Sequence, residues 1–128
     1  MFILDTNVAI MLRDGDPEVI QKLAALGEDF YISVVTQVEL VAGASNGSRE
    51  DVAARRARLN ALFNTVSVIA FDQTDAETYG DILAVRGFSR RKVLDRMIAA
   101  QALLRGATLI TYNAADFRDV PGLQLLEL

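Results

Sequence analysis

Short apolar runs alternate with amphipathic stretches along the whole chain. The apolar runs predict five strands, and apolar residues at helical spacing predict helices between them. Strands that alternate with helices are typical of a parallel sheet covered on both faces. The expected fold class is therefore α/β, with a parallel sheet of about five strands. The strands are expected at Phe2–Asp5, Phe30–Ser33, Val66–Phe71, Thr108–Thr111 and Leu123–Leu128.

Capping residues mark several of the predicted helix ends. Asp16 is placed to cap a second helix that stops at Gly27, and Thr74 and Glu77 have the spacing of a capping box. Val66–Phe71 is apolar enough to predict a strand that is covered on both faces. With 128 residues, the chain is expected to form a single domain, residues 1–128.

The composition removes several kinds of chemistry. The chain contains neither cysteine nor histidine, which excludes disulfides, thiolate zinc sites, and catalysis by a cysteine or an imidazole. Carboxylate, hydroxyl and amide oxygens remain, and these are the ligands that suit Mg²⁺ or Mn²⁺. Without a signal peptide or a long apolar run, the protein is expected in the cytoplasm and not in a membrane.

Acidic residues fall at or near the carboxyl ends of the predicted strands. Asp5 closes the first strand, Glu39 follows the second, Asp95 lies in the helix before the fourth, and Asp116 lies just beyond the fourth. Ligands bind at this edge of a parallel sheet. Four carboxylates gathered there would repel one another unless cations were present, so the pattern predicts a divalent metal site.

Each acid also has a purely structural interpretation. Asp5 could cap the first helix. Glu39 stands three residues after Thr36, which is the spacing of a capping box. Asp95 could be favoured by the helix dipole, and Asp116 could belong to an Asx turn.

Basic residues form two local groups in a chain whose net charge is −4. A chain of this charge is not attracted to nucleic acid as a whole, so any such contact must be local. Either group could bind phosphates or could simply be solvated. The first group comprises Arg86, Arg90, Arg91, Lys92 and Arg96, of which Arg90, Arg91 and Lys92 are the candidates for RNA binding; the second comprises Arg49, Arg55, Arg56 and Arg58.

Four sequence blocks together resemble the PIN-domain ribonucleases, and within them the VapC toxins of bacterial toxin–antitoxin pairs. The blocks are ILDTNV, VELVAG, LDRMIAAQAL and LITYNAADFRDVPGLQLLEL. The resemblance implies an α/β/α layered fold of the PIN type. It also places the acidic residues of the family on Asp5, Glu39 and Asp95, with Asp116 as the fourth.

The position of the fourth acid departs from the commoner pattern. Asn113 stands where many PIN domains have an aspartate, so either Asn113 or Asp116 could supply the fourth ligand. Thr6, Asn7 and Thr111 are expected to orient the carboxylates or a bound water.

The resemblance further implies a reaction and partners. It implies Mg²⁺- or Mn²⁺-dependent endonucleolytic hydrolysis of RNA by an activated water, a homodimer, and a cognate antitoxin protein. Two alternatives remain: a receiver-like phosphoacceptor signalling module, and a PIN-like interaction protein without activity. A receiver needs a lysine after a late strand. The chain has only Lys22 and Lys92, and neither stands at the end of a predicted strand.

Overall fold

The structure is a computed structural model that describes residues 1–27 and 29–128. Its strands are β1 (Phe2–Leu4), β2 (Phe30–Ser33), β3 (Ser67–Ile69), β4 (Thr108–Thr111) and β5 (Gln124–Glu127). Its helices are α1 (Thr6–Arg13), α2 (Pro17–Leu26), α3 (Val34–Ala44), α4 (Arg49–Thr65), α5 (Gln73–Arg86) and α6 (Val93–Arg105), with short 3₁₀ helices at Arg90–Lys92 and Ala114–Asp116. Among the described residues, no helix has the length and apolar character required to cross a membrane.

All five strands are parallel, and their order across the sheet is β3-β2-β1-β4-β5. The chain moves outward from β1 through β2 to β3, and then returns to place β4 on the other side of β1. The strand order therefore changes direction between β1 and β4, which is where open α/β sheets bind their ligands. The predicted α/β class and parallel sheet are confirmed.

Neighbouring residues of the central strands point to opposite faces of the sheet. Leu4 and Ile110 belong to a core beneath α1, α2 and α4, whereas Ile3 and Leu109 belong to a second core beneath α5 and α6. All four side chains are fully buried. Because β1 and β4 lie between two layers of helices, the sheet edge at their carboxyl ends is held in place from both sides.

Two local predictions are wrong. β3 is shorter than predicted and lies at the edge of the sheet, so Val68 is 37% exposed and the strand is not covered on both faces. The capping box of α5 joins Asp72 to Asp75 and not Thr74 to Glu77. Each aspartate accepts a hydrogen bond from the backbone N–H of the other, at 3.1 and 2.9 Å.

Candidate metal centre

Asp5 lies at the point where the strand order changes direction. Its Oδ1 accepts a hydrogen bond from the Val8 backbone N–H at 2.9 Å, and its Oδ2 accepts one from the Thr111 hydroxyl at 2.5 Å. Asp5 is 5% exposed and Thr111 is fully buried at the end of β4. The predicted capping role of Asp5 is confirmed. These hydrogen bonds leave further lone pairs on both oxygens of Asp5, because a carboxylate can accept about four hydrogen bonds.

The environment of Asp5 works against its negative charge. Burial raises the pKa of the Asp5 carboxyl, and the charge of Asp116 raises it further. The hydrogen bonds from Thr111 and from the backbone of Val8 and Asn7 offset only part of this effect. A cation beside Asp5 would stabilise the ionised form.

Glu39 is held by α1 and does not cap its own helix. Ser33 caps α3 by accepting a hydrogen bond from the Val35 backbone N–H at 3.0 Å, so α3 begins at Val34, before Thr36. The predicted capping box between Thr36 and Glu39 is therefore wrong. Instead, the Thr6 hydroxyl donates to Glu39 Oε1 at 2.9 Å, and it lies 3.0 Å from the Thr36 hydroxyl.

The three side chains form a chain of hydrogen bonds. A hydroxyl has one proton to donate, and Thr6 gives its proton to Glu39. Thr36, which is fully buried, must then donate to Thr6. This chain fixes the Glu39 carboxylate relative to the first turn of α1, where Asp5 is the capping residue.

Asp95 and Asp116 share a cavity of about 270 Å³ with Ser89, Arg91 and Lys92. Asp95 lies in the first turn of α6, and Asp116 ends a 3₁₀ helix beyond β4. The cavity is smaller than several others on the protein, but its lining carries two of the four predicted acids.

Asn113 connects Asp116 to Thr111. Its side-chain amide donates to Asp116 Oδ2 at 2.6 Å, and its backbone N–H donates to the Thr111 hydroxyl at 2.9 Å. Thr111 in turn donates to Asp5. In this arrangement Asn113 orients the carboxylate of Asp116, which lines the same cavity as Asp95.

The four acids act on one another electrostatically. Burial raises the pKa of Asp95, and the charges of Asp116, Asp5 and Glu39, in that order, raise it further. Lys92 lowers it, but not enough to offset the other effects. Four carboxylates from distant parts of the sequence are therefore brought to one edge of the sheet, as predicted.

The residues fit a hydrated hard cation better than a dehydrated one. In residues 1–27 and 29–128, no three acidic side chains stand close enough together to ligate one ion directly. Mg²⁺ usually keeps several waters and needs only one or two carboxylates, so widely spaced acids suit it. The mutual repulsion at Asp95 supplies the electrostatic need for a cation.

The first basic group divides into two sets. Arg96 is 4% exposed and donates to Gly87 and Asp119, and Lys92 also pairs with Asp119. Arg90 and Arg91 are exposed, and Arg91 lines the acidic cavity. Of the predicted RNA-binding residues, Arg91 and Lys92 therefore border the acids.

The second basic group lies on α4, away from the acidic cavity. Arg55 donates to the Asn46 carbonyl, and Arg55 and Arg58 join Arg13 around a separate cavity of about 430 Å³. These arginines meet the carboxyl ends of α1 and α3, where cations interact favourably with the helix dipoles.

Some contributors to the site carry no recognisable sequence signal. Ser89 lines the cavity, and Asp119 binds the basic residues around it. Neither belongs to a spacing pattern. Thr36 did carry a signal, because its distance from Glu39 marked the pair, but the contact runs through Thr6.

Comparison with known proteins identifies the protein family to which the chain belongs. The family model described as the PIN domain matches residues 2–123, which is nearly the whole chain. The chain belongs to the PIN-domain family.

Proteins similar to this chain include VapC ribonucleases and toxin–antitoxin complexes. The tRNA(fMet)-specific endonuclease VapC of Shigella flexneri is 30% identical over 126 residues, covering 96% of this chain and 94% of that protein. A chain of DNA-bound VapBC from Salmonella typhimurium superimposes with a TM-score of 0.86 at 29% identity, over 98% of this chain and 96% of that one. A toxin–antitoxin complex from Klebsiella pneumoniae gives a TM-score of 0.75 at 28% identity, over the full length of both chains. The resemblance to VapC drawn from the sequence is confirmed.

Proposed function

We propose that this chain is a Mg²⁺- or Mn²⁺-dependent endoribonuclease, the toxin of a toxin–antitoxin pair, in which Asp5, Glu39, Asp95 and Asp116 surround a hydrated ion. One or two of these carboxylates bind the ion directly, and the others bind its waters. The observation that carries the proposal is the convergence of acids at one edge of the sheet, where Asp95 and Asp116 line the same cavity. The charges of Asp116, Asp5 and Glu39 raise the pKa of Asp95, which agrees with this arrangement. The named VapC relatives support the reaction class. The assignment of Mg²⁺ or Mn²⁺ rests on a ligand set made only of oxygens and on the repulsion between the acids.

The protein's own residues hold the acids in place before substrate arrives. Val8 and Thr111 fix Asp5, Thr6 fixes Glu39, and Asn113 fixes Asp116. Such hydrogen bonds to metal ligands set their orientation and lower the cost of binding. When bound, the ion supplies Lewis acidity toward water and the scissile phosphodiester.

The cations beside the acids suit the approach of the RNA backbone. Arg90 and Arg91 are exposed, and Arg91 and Lys92 line the cavity that holds Asp95 and Asp116. Local contacts of this kind would offset the repulsion between RNA and a chain of net charge −4. Because the Shigella relative is named for tRNA(fMet), that RNA is the first substrate to test.

The proposed assembly follows the solved relatives. A cognate antitoxin partner is supported by the toxin–antitoxin complexes that match over nearly the whole chain. A homodimer agrees with Val38 and Val41 of α3, which are 64% and 43% exposed. We place the reaction in the cytoplasm, where a chain without cysteine loses nothing to reducing conditions.

The proposal is tested by removing one acid at a time. We expect Asp5→Asn and Glu39→Gln each to lower cleavage of tRNA(fMet) by more than a hundredfold, because the amides keep shape but lose charge. The matched control is Asp29→Asn, at the opposite edge of the sheet just before β2, which should cleave like the wild type. Circular dichroism checks that all variants are folded.

The same assay separates the alternatives. Excess EDTA should abolish cleavage, and Mg²⁺ or Mn²⁺ should restore it. Cleavage by Asp5→Asn at the wild-type rate would refute the assigned site, whereas no cleavage of any RNA by metal-loaded wild type would favour an inactive PIN-like interaction protein. The receiver alternative is excluded by membership of the PIN-domain family.

A further inference from the structure

Three basic side chains converge on Asp119, in the turn that follows Asp116. Arg96 Nη2 donates to Asp119 Oδ2 at 2.9 Å, and Lys92 Nζ donates to the same oxygen at 3.3 Å. Arg86 Nε donates to the Asp119 main-chain carbonyl at 2.5 Å. The cluster therefore ties this turn to the end of α5 and to the start of α6.

Arg96 is the buried centre of that cluster. Its side chain is 5% exposed, and its Nη1 donates to the Gly87 carbonyl at 2.8 Å while its Nη2 holds Asp119. The planar guanidinium thus binds the segment at Gly87 and the segment at Asp119 at the same time. A lysine ammonium group cannot do so with the same fixed geometry.

The geometry of the ion pair allows a still stronger contact. Arg96 Nε and Asp119 Oδ1 are both buried, and neither has a hydrogen-bond partner among the described residues. Nε and Nη2 form one fork of the guanidinium, so the free Nε lies on the side that already binds Asp119. A small rotation would make the pair bidentate.

The ion pair between Arg96 and Asp119 lies on the same two segments that carry Asp95 and Asp116. Arg96 directly follows Asp95, and Asp119 comes one turn after Asp116. Asp95 and Asp116 line the same cavity although their like charges repel. Repulsion between Asp95 and Asp116 works to drive the two segments apart, and the ion pair of Arg96 with Asp119 joins the same two segments and opposes it.

We propose that Arg96 is a positioning residue that acts through Asp119 to set the separation of Asp95 and Asp116 for cation binding. The inference rests on the function proposed above. It assigns Arg96 no contact with substrate. A positioning role also gives a reason why Arg96 is buried while the other residues of the first basic group are exposed or partly exposed.

The test measures Mn²⁺ binding directly, by electron paramagnetic resonance titration of the full chain. Asp119→Asn and Arg96→Lys should each weaken Mn²⁺ binding by about tenfold or more, as loss of a contact that orients ligands usually does. The Mn²⁺ concentration for half-maximal cleavage should rise by the same factor, while KM for RNA at saturating Mn²⁺ stays unchanged. Arg118→Met removes a neighbouring arginine in an exposed pair with Glu127 and should leave all three values unchanged.

Three results would overturn the proposal. Equal Mn²⁺ affinity in wild type and variants removes this inference alone, and a lower melting temperature of the variants would then make the pair a purely structural contact. A raised KM with a flatter salt dependence would mean that Arg96 binds RNA itself. If the wild type binds no Mn²⁺ yet cleaves RNA, the metal centre and this inference both fail.

Discussion

Two sets of aspartates in this protein have pKa values shifted in opposite directions. Asp5 and Asp95, at the carboxyl edge of the sheet, have their pKa values raised by burial and by neighbouring acids. Asp75 and Asp119 also feel burial, which raises the pKa, but hydrogen bonds from arginine and other donors outweigh it and hold both pKa values below the usual range.

The difference lies in the partners. Asp75 is fully buried, yet Arg105 donates to both of its oxygens, at 2.7 and 3.4 Å. Asp119 has Arg96 and Lys92. Among the described residues, the donors to Asp5 are neutral: the Thr111 hydroxyl and the backbone N–H groups of Val8 and Asn7. The fold thus pairs its structural carboxylates with arginine or lysine, whereas at the acidic site Lys92 offsets only part of the effect of burial and repulsion on Asp95. The acidic site therefore keeps an uncompensated negative charge, which is what a site for an external cation requires.

Breaking a structural pair should produce the largest effect. Arg105→Met leaves Asp75 buried between α5 and α6 without its cation, and we expect a loss of about 3 kcal/mol in the free energy of unfolding. Urea unfolding at neutral pH measures this loss. The remaining carboxyl should then behave like those of the acidic site, with its pKa raised instead of lowered.

An exposed arginine provides the control for that variant. Arg118 pairs with Glu127 at 3.4 Å, and the two side chains are 66% and 46% exposed. Arg118→Met should change stability by less than about 0.5 kcal/mol, as exposed pairs generally do. Equal losses in the two variants would show that the Asp75 pair is no more important than a surface contact.

Supplying the missing cation to the acidic site should produce an intermediate effect. At ten times its dissociation constant, Mn²⁺ should stabilise the wild type by about 1.4 kcal/mol, because it binds only the folded chain. Thermal unfolding with and without Mn²⁺ measures the gain. Asp95→Asn should lose most of it, and an equal gain in wild type and variant would place the ion elsewhere.

The sequence was sufficient to predict the sheet, its two covered faces and the edge where the acids meet. Asp5 followed from the end of a strand, and the alternation of Ile3 and Leu4 is what divides the core in two. These features depend on local periodicity and on general rules for parallel sheets, which act within a few residues.

Contacts between distant segments were beyond prediction. Nothing near Glu39 indicates that Thr6, 33 residues away, holds it. Nothing near Lys92 and Arg96 indicates that Asp119 binds both, since that contact depends on how α6 packs beside the turn after β4. β3 was misjudged because its residues are apolar, while its exposure follows from its edge position.

The smallest expected effect has the most informative sign. In metal-free protein, the raised pKa of Asp95 means that the folded chain binds its proton more tightly than the unfolded chain does. Ionisation of Asp95 therefore costs stability, fully so above its folded pKa and not at all below the unfolded value near 3.8. Because Asp95 is partly exposed, solvent screens this cost, and Asp95→Asn should gain less than about 1 kcal/mol at pH 7.

The paired aspartate supplies the opposite result in the same experiment. Asp75→Asn should lose stability at pH 7, because the lowered pKa of Asp75 makes its ionised form a stabilising one above 3.8. That loss should shrink as the pH falls through the folded pKa of Asp75, while the gain from Asp95→Asn shrinks as the pH falls toward 3.8. Urea unfolding in EDTA at several pH values measures both. If Asp95→Asn is less stable than the wild type at pH 7 without metal, the protein already compensates the negative charge of the acids. The contrast between the two sets of carboxylates would then be wrong.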